Sequence, residues 1–501
     1  MGSLDRREFL ASIAVSTVAL RAPALDPRAW RRTRAGDPRL DRLRATFRGR
    51  IVGRGSPAYE RLRVLFNRRF DEVYPLAVVI PADGSDVQRV VEWARAEAVQ
   101  LVARSGGHSY GGYSSIQAGV VVDLSGLAGV SVDPTRRLAT VGGGARLVDI
   151  YARLARSGLF LPAGSCASVG IAGQALGGGI GFAARRFGTT ADNLAGTTIV
   201  SADASRLACS PQTHSDLFWA CRGGGGGNFG IVTALRFRVH PAPACSFFVV
   251  SWPWQSAAEG IDAWQRFAPH APDELFSICA LETGGPHVQA FGQFLGPSSA
   301  LRGLVASLAR VHGATLRVGS LPFLDMQLRW AGCLGKTVAQ CHLTGQTPQG
   351  TLHRSAFAAK SDYVNKPFSE RALATIVAWL EEAEKARFGS AALLLDSYGG
   401  ALNRVPATAT AFVHRNSLFS GQYLSYWRSP AGRPLALQWL RGFHDAMRPH
   451  VSGFAYQNYI DPELANWKRA YYGANLNRLI KIKQRVDPDR FFSFAQAIPA
   501  G

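Results

Sequence analysis

Acidic side chains are in short supply: 35 Asp and Glu face 56 Lys and Arg, a formal charge of +21. Such an excess raises the question of nucleic acid, an anionic surface or an acidic ligand. Arginines crowd between Arg28 and Arg69, however, and no basic stripe interleaved with aromatics recurs later as a nucleic-acid groove requires. No nucleic-acid partner is expected. Cysteine is sparse and scattered, at Cys166, Cys209, Cys221, Cys245, Cys279, Cys333 and Cys341, an odd count without a CxxC pair. That pattern fits neither a zinc site nor a small disulfide framework, so no metal is expected, and it leaves open whether any cysteines pair. No apolar run beyond the amino terminus approaches the length of a membrane span. No GxGxxG stands at a first strand-to-helix turn, so a Rossmann dinucleotide fold has no support. The 501 residues, 47% hydrophobic, suffice for two domains or one large one with a sizeable core.

Glycine, by contrast, is plentiful and concentrated. Arg104 to Tyr113 reads RSGGHSYGGY, four glycines and a histidine directly after an apolar run. Residues without a Cβ let backbone approach a ligand closely, and the N–H groups of Ser105, Gly106 and Gly107 are placed to cradle a phosphate, with His108 at the end of the cradle. Taken alone, a glycine-rich turn with a structural histidine explains it equally well. A second dense stretch, Pro162 to Gly181, reads PAGSCASVGIAGQALGGGIG, with Cys166 lying 58 residues after His108. A third, CRGGGGGNFGIVT, runs five glycines from Gly223 to Gly227 between apolar segments.

The surrounding chain reads as α+β. Glu72 to Ile80 predicts a strand, Ser85 with Gln88 a capping box, Val87 to Ala94 a helix, and Gln100 to Ala103 the strand feeding the first glycine loop. Short strands follow at Val120 to Leu124 and Leu138 to Val141, then a helix through Leu147 and Leu154 that stops at Gly158. Thr197 to Ser201 and Ile231 to Val239 read as strands, with a short helical turn at Asp216 to Ala220 between them. At Pro241 to Pro243 the texture changes and a domain boundary is placed. Beyond it Phe276 to Leu281, Val288 to Leu295, Ala391 to Tyr398, Ala409 to His414 and Gln422 to Trp427 alternate as strands among amphipathic helices such as Glu370 to Ala386. This predicts an antiparallel sheet covered on one face by helices. Leu464 to Gln484 reads as one helix.

Together the two glycine stretches resemble the flavin-attachment segments of the berberine-bridge-enzyme-like oxidoreductases, members of the vanillyl-alcohol-oxidase superfamily. The tail resembles the family's carboxy-terminal signature, with YQNY at Tyr456 to Tyr459, the tryptophan and YYG at Trp467 to Gly473, and the closing FAQAIP. The resemblance implies a PCMH-type FAD-binding domain over 71–242, a substrate domain over 243–448, and a segment over 449–501 that returns to the flavin. It implies FAD bonded through His108 and Cys166. Arg104, Ser105, Gly106, Gly107 and Ser109 would then contact the cofactor from the first loop, and Val169, Gly170, Gly173 and Gly177 from the second. Gly227, Asn228, Gly230 and Ile231 would do so from the third, and Asn458 from the tail.

Taking the proton of a substrate alcohol while its hydride leaves calls for a base, and a tyrosine serves only where neighbours stabilise its phenolate. By resemblance the base is Tyr459, with Tyr456 as neighbour or substitute. Asp396 and Tyr398, two apart on a predicted strand and so on one face, are expected to assist. A cross-strand structural pair is the rival reading for these two. Arg404, His414 and Arg415 read as cover for the sheet, with substrate contact as the alternative. Val169 stands where relatives that react with oxygen carry a small valine, which implies an oxidase releasing hydrogen peroxide. The expected substrate is a hydroxyl of a sugar, oligosaccharide or glycosylated natural product. The alternatives are a secondary-metabolite oxidase that closes a ring or forms a double bond, and a binding protein without catalysis. At the amino terminus, Arg6 and Arg7 ahead of an apolar run from Leu10 to Leu20 resemble a twin-arginine export signal over 1–24, although Asp5 stands where serine or threonine is usual. An arginine-rich segment, 25–70, follows it. Export to the outside of the cell is expected.

Overall fold

The computed structural model describes residues 37–285 and 287–501; the expected export signal lies outside them. The first layer is a four-stranded sheet of β1 (Arg50–Gly53), β2 (Ala77–Ile80), β3 (Leu101–Arg104) and β4 (Val120–Asp123) in the order β1-β2-β4-β3. β2, β4 and β3 run parallel, as the strand, helix, strand unit requires, while β1 pairs antiparallel with β2 and so makes the arginine-rich segment part of the sheet. The helix Gly84–Ala96 buries Val87, Val90, Val91 and Ala94 on that sheet, the apolar periodicity read from sequence. Its cap differs from the expected box: Asp83 accepts from the backbone N–H groups of Ser85 and Asp86, while Gln88 reaches across to the Ala204 carbonyl. An aspartate one residue ahead of the first turn meets the unpaired amides better than a serine already inside the helix.

The second layer is a five-stranded sheet, order β5-β6-β10-β8-β9, built from β5 (Val130–Asp133), β6 (Leu138–Gly142), β8 (Leu194–Val200), β9 (Arg206–Cys209) and β10 (Ile231–Arg238). A two-residue pairing of β7 (Leu159–Phe160) with β11 (His240–Pro241) lies beside it. From Cys245 the chain changes architecture. β12 (Cys245–Trp252), β13 (Leu275–Glu282), β14 (His287–Phe294), β15 (Thr315–Leu321), β16 (Phe357–Val364), β17 (Gly389–Ser397) and β18 (Phe419–Trp427) form one seven-stranded sheet, order β15-β12-β14-β13-β17-β18-β16. Every pairing in it is antiparallel.

Side chains alternate across this sheet. Leu393, Leu395, Cys279, Leu281 and Tyr423 face the helices Ala257–Phe267, Glu370–Ala386 and Arg433–Met447 and form a core with them. The intervening residues Ile278, Leu394, Asp396 and Gln422 face the other way, toward the two smaller sheets, and Ile278 sits directly opposite Asp396 in the ladder. One face is therefore core and the other is site.

Two of the expected elements are corrected, and one strand was not expected. Ala409 to His414 is irregular rather than a strand: the Thr410 and Ala411 carbonyls accept from the side chain of Asn475, and the Phe412 amide donates to Arg222. Its buried polar groups are satisfied without a neighbouring strand. The single tail helix is two, Trp467–Tyr472 and Leu476–Val486, broken at Gly473, whose φ of +46° is left-handed backbone that glycine accepts readily. β16 was unread because its centre is Lys360, Ser361 and Asp362, a polar run that is nonetheless buried throughout.

The loop after β17 ties the halves together. Arg415, 5% exposed, grips both carboxylate oxygens of Asp192 at 2.8 and 2.7 Å. Removing one member of a buried pair strands the other, so Arg415→Ala should cost about 3–5 kcal/mol, read as an earlier denaturant or thermal midpoint. A midpoint unchanged from the parent would show the tie to be dispensable.

Candidate active site

Between the smaller sheets and the open face of the large one lies a cavity of about 640 Å³. The two glycine loops meet at its floor. A Cβ on Gly106 would lie 2.2 Å from the Gly170 nitrogen, and one on Gly170 would lie 2.2 Å from both the Gly106 nitrogen and Ser105 Oγ. Only backbone against backbone fits there. Ser105 Oγ donates to the Gly143 carbonyl at 2.5 Å, and Arg146 binds the Ser105 carbonyl, so the first loop is pinned from beneath.

His108 and Cys166 both line this cavity. Phe66 stacks on the imidazole, centroids 4.2 Å apart and planes 17° from parallel, and Ser168 Oγ lies 3.0 Å from Nε2. Burial, with the nearby Arg146 charge, pushes His108 down to about 3, so the ring is neutral with one nitrogen lone pair available. The Cys166 thiol is accessible from the cavity yet enclosed by protein, which raises its pKa and keeps it a thiol.

The cavity also has room shaped for a cofactor. A Cβ on Gly173 would meet nothing within 4 Å, and one on Gly226 would meet only Gly173 and Leu176 at 3.8 and 4.0 Å. Two buried polar atoms on lining residues, Ser114 Oγ and Gln174 Nε2, have no hydrogen-bond partner among the described residues. Bare backbone beside unpaired polar groups is what a nucleotide cofactor fills. Gly227 and Gly230, with φ of +78° and +144°, complete the third loop, and Asn228 holds it by bonding Gly224 and Ile498. Lys483, paired with Asp487, caps the Asn228 carbonyl from behind.

Not every expected contact is a cavity residue. Arg104 is buried and salt-bridges Asp123 at 2.7 Å, anchoring β3 to β4 instead of reaching a cofactor. Gly177 makes way for Asn458, whose Oδ1 would lie 2.0 Å from a Cβ there. Ile231 is core on β10. Ser105, Gly107, Ser109, Val169 and Gly170 do line the cavity, as does Asn458, which bonds the Gln174 carbonyl and the Tyr456 hydroxyl.

Opposite the loops the tail delivers Tyr459. Its ring stacks on Tyr110, 5.3 Å between centroids, and meets Tyr456 edge-on. Burial and the nearby Asp396 charge push its phenol well above 10. The Tyr456 oxygen accepts from the Gly179 amide at 2.8 Å and from Asn458 at 2.9 Å. Asp396 lines the cavity, 8% exposed, its carboxyl raised to about 7 by burial. Tyr398 does not join it: β17 ends at Ser397, and the Tyr398 side chain, fully buried, bonds Tyr363 at 3.0 Å inside an aromatic cluster. His414 stacks on Tyr363, and Arg404 pairs with Asp273, both structural.

Several lining residues carry little or no signal in the sequence. Tyr110 and Ser168 stood inside the quoted glycine stretches without a motif role. Gln422, which donates to the Tyr110 hydroxyl at 2.8 Å, carried no more signal than alternation on a strand. Trp330, stacked on Phe182 at 4.4 Å and bonded to Gln293, carried none.

Comparison with known proteins agrees with this geometry. The FAD binding domain family matches residues 75–210, and the family described as berberine and berberine like matches 455–499. The chain is 31% identical to the berberine bridge enzyme-like protein Cyn d 4 of Cynodon dactylon, covering 90% of each. The chain belongs to the berberine-bridge-enzyme-like family. It is an FAD-linked oxidoreductase by the same relatives, among them YgaK of Bacillus subtilis, an uncharacterized FAD-linked oxidoreductase 35% identical over 90% of this chain and 97% of that one. Physcomitrella patens BBE-like 1 superposes with a TM-score of 0.86 at 31% identity, over 92% of this chain and 99% of that one. A chitooligosaccharide oxidase does so at 0.83 and 25%, over the same shares. Among the described residues no helix is long and apolar enough to cross a membrane.

The open space above Gly173 yields a test. Gly173→Leu should fold normally, since nothing stands within 4 Å of the new Cβ, but should purify without bound FAD. A yellow, fully loaded variant would place the cofactor elsewhere.

Proposed function

We propose that this protein is an FAD-dependent oxidase carrying its flavin on two covalent links, through His108 and Cys166. Its substrate is a hydroxyl of a sugar, oligosaccharide or glycosylated natural product, oxidised to a ketone or lactone. One observation carries the reading: a neutral imidazole and a thiol, from loops locked together at Gly106 and Gly170, open on a single cavity. FAD bound there supplies the acceptor for the substrate's carbon-bound hydrogen and its electron pair, with oxygen as final oxidant and hydrogen peroxide as product.

The chain's own side chains handle the proton. Asp396, with a pKa of about 7, is the group whose proton affinity suits a base at neutral pH. Tyr459 keeps its proton and orients the substrate hydroxyl toward that carboxylate. The order expected from sequence, phenol as base and carboxylate as helper, is reversed in this reading, because burial and the neighbouring Asp396 charge disfavour a Tyr459 phenolate. Gln422 holds the Tyr110 hydroxyl beside Tyr459, and the stacked Phe182 and Trp330 offer a flat apolar wall for a ring.

Sugar chemistry has support among neighbours. Phl p 4, described as a grass pollen allergen with glucose dehydrogenase activity, matches at 30% identity over 90% of this chain and 96% of its own, with a TM-score of 0.80. A variant of it with one isoleucine changed to valine and one asparagine to histidine is described as a glucose oxidase. The small Val169 at this cavity fits the oxidase outcome. The aromatic wall also suits a ring-closing or desaturating oxidase of an aromatic secondary metabolite, which is the second reading. Export is proposed from the paired arginines near the start, and the Cys333–Cys341 disulfide suits an oxidising compartment.

Two experiments decide. Acid-denatured absorbance and intact mass should show flavin retained by the polypeptide, released only when His108→Ala and Cys166→Ala are combined; a bare-chain mass for the parent would end the attachment reading. With a sugar panel scored by peroxide release, kcat/KM should rise with pH through about 7, since the carboxylate form of Asp396 is the base. Asp396→Asn should lower kcat by about 10²–10⁴ and abolish that rise. An unchanged profile would return the role to a tyrosine.

A further inference from the structure

His108 has two ring nitrogens, and only an unprotonated one can form a bond to carbon. Which nitrogen that is depends on the partner of the other. Ser168 supplies that partner. Its hydroxyl lies 3.0 Å from Nε2. With Nε2 engaged by that hydroxyl, Nδ1 is the nitrogen left for a bond to carbon, and a free Nδ1 lone pair requires the ring N–H to lie at Nε2, directed at Ser168. Phe66 covers a face of the ring at 4.2 Å and prevents it from turning. Ser168 itself is 3% exposed and sits two residues after Cys166, so the loop that carries one attachment residue also orients the other.

We propose that Ser168 is a positioning residue for cofactor attachment: it holds His108 as the Nε2–H tautomer and leaves the Nδ1 lone pair as the ring's nucleophile. This rests on the attachment reading above and extends it to a residue that acts through His108. In the balanced step, Nδ1 forms a bond to the methyl carbon on the flavin's benzenoid ring and one C–H bond of that methyl breaks. Two protons leave, one from the methyl and one from Nε2 past the Ser168 hydroxyl. The two electrons released reduce the flavin and pass to molecular oxygen, which takes up two protons to become hydrogen peroxide. Arg146, close enough to disfavour a charged imidazole, keeps the ring from holding a second proton that would remove the lone pair.

The test separates the two links and follows them by intact mass, without reference to turnover. Protein produced without flavin is loaded with FAD in air, and the covalently bound fraction is timed in two backgrounds: Cys166→Ala, in which the His108 link alone forms, and His108→Ala, in which the Cys166 link alone forms. Adding Ser168→Ala should slow the His108 link on the order of tenfold or more, as removal of the partner that orients a histidine does elsewhere. It should leave the Cys166 link at its parent rate, and Ser168→Thr, which keeps the hydroxyl, should restore the His108 link. Equal slowing of both links would make Ser168 a mere support of its loop and overturn the proposal. So would an unchanged His108 rate in Ser168→Ala. If the Cys166→Ala parent itself never gains the flavin mass, the His108 attachment reading fails first and the proposal falls with it.

Discussion

The contact on which the site depends is the meeting of Gly106 and Gly170. Two loops separated by more than sixty residues approach so closely that any side chain at either position would collide with backbone. That approach places His108 and Cys166 on one cavity, and it is stabilised by groups that do no chemistry: Ser105 on Gly143, Arg146 on Ser105, and the buried Arg104–Asp123 pair that sets where β3 ends. An imidazole and a thiol open on one cavity because the backbone beneath them has no freedom to separate.

The far wall is held as firmly by a different device. Asp461, two residues after Tyr459, is bound through its backbone amide to Tyr471, through its carbonyl to Gln496 and through its carboxylate to Lys360 on β16. The polar centre of β16 is thus the anchor for the tail, which explains why a fully buried strand carries a lysine. Tyr459 is presented against Tyr110 by a hub whose every polar group is occupied, and Asp396 reaches the same space because strand alternation turns it away from the helices. Asp396, Tyr459 and Tyr110 come to this cavity from three remote parts of the chain.

Much of this was legible before any coordinates. Glycine density marked the loops, the 3.6-residue rhythm marked Gly84–Ala96 and Glu370–Ala386, and alternation marked the central strands of the large sheet. The failures have physical causes. Gly473 breaks a helix whose apolar rhythm continues across it, the run Ala409 to His414 has strand-like residues but finds its hydrogen bonds on Asn475, and Lys360 to Asp362 hide a buried strand behind charge.

Local chemistry is what the sequence determined by itself: where backbone must be bare, where a nucleophile stands beside it, and which motifs mark a flavin enzyme of this family. The tertiary structure alone decided which of those residues meet. Tyr398 shares its strand side with Asp396 by parity, yet β17 ends between them and only Asp396 reaches the cavity. Gln422 finds Tyr110 across 312 residues, and Ser168 finds His108 across 60, contacts no spacing rule encodes. Periodicity reports which face a side chain takes within its own element; packing between elements, set by the whole core, decides what lies opposite that face.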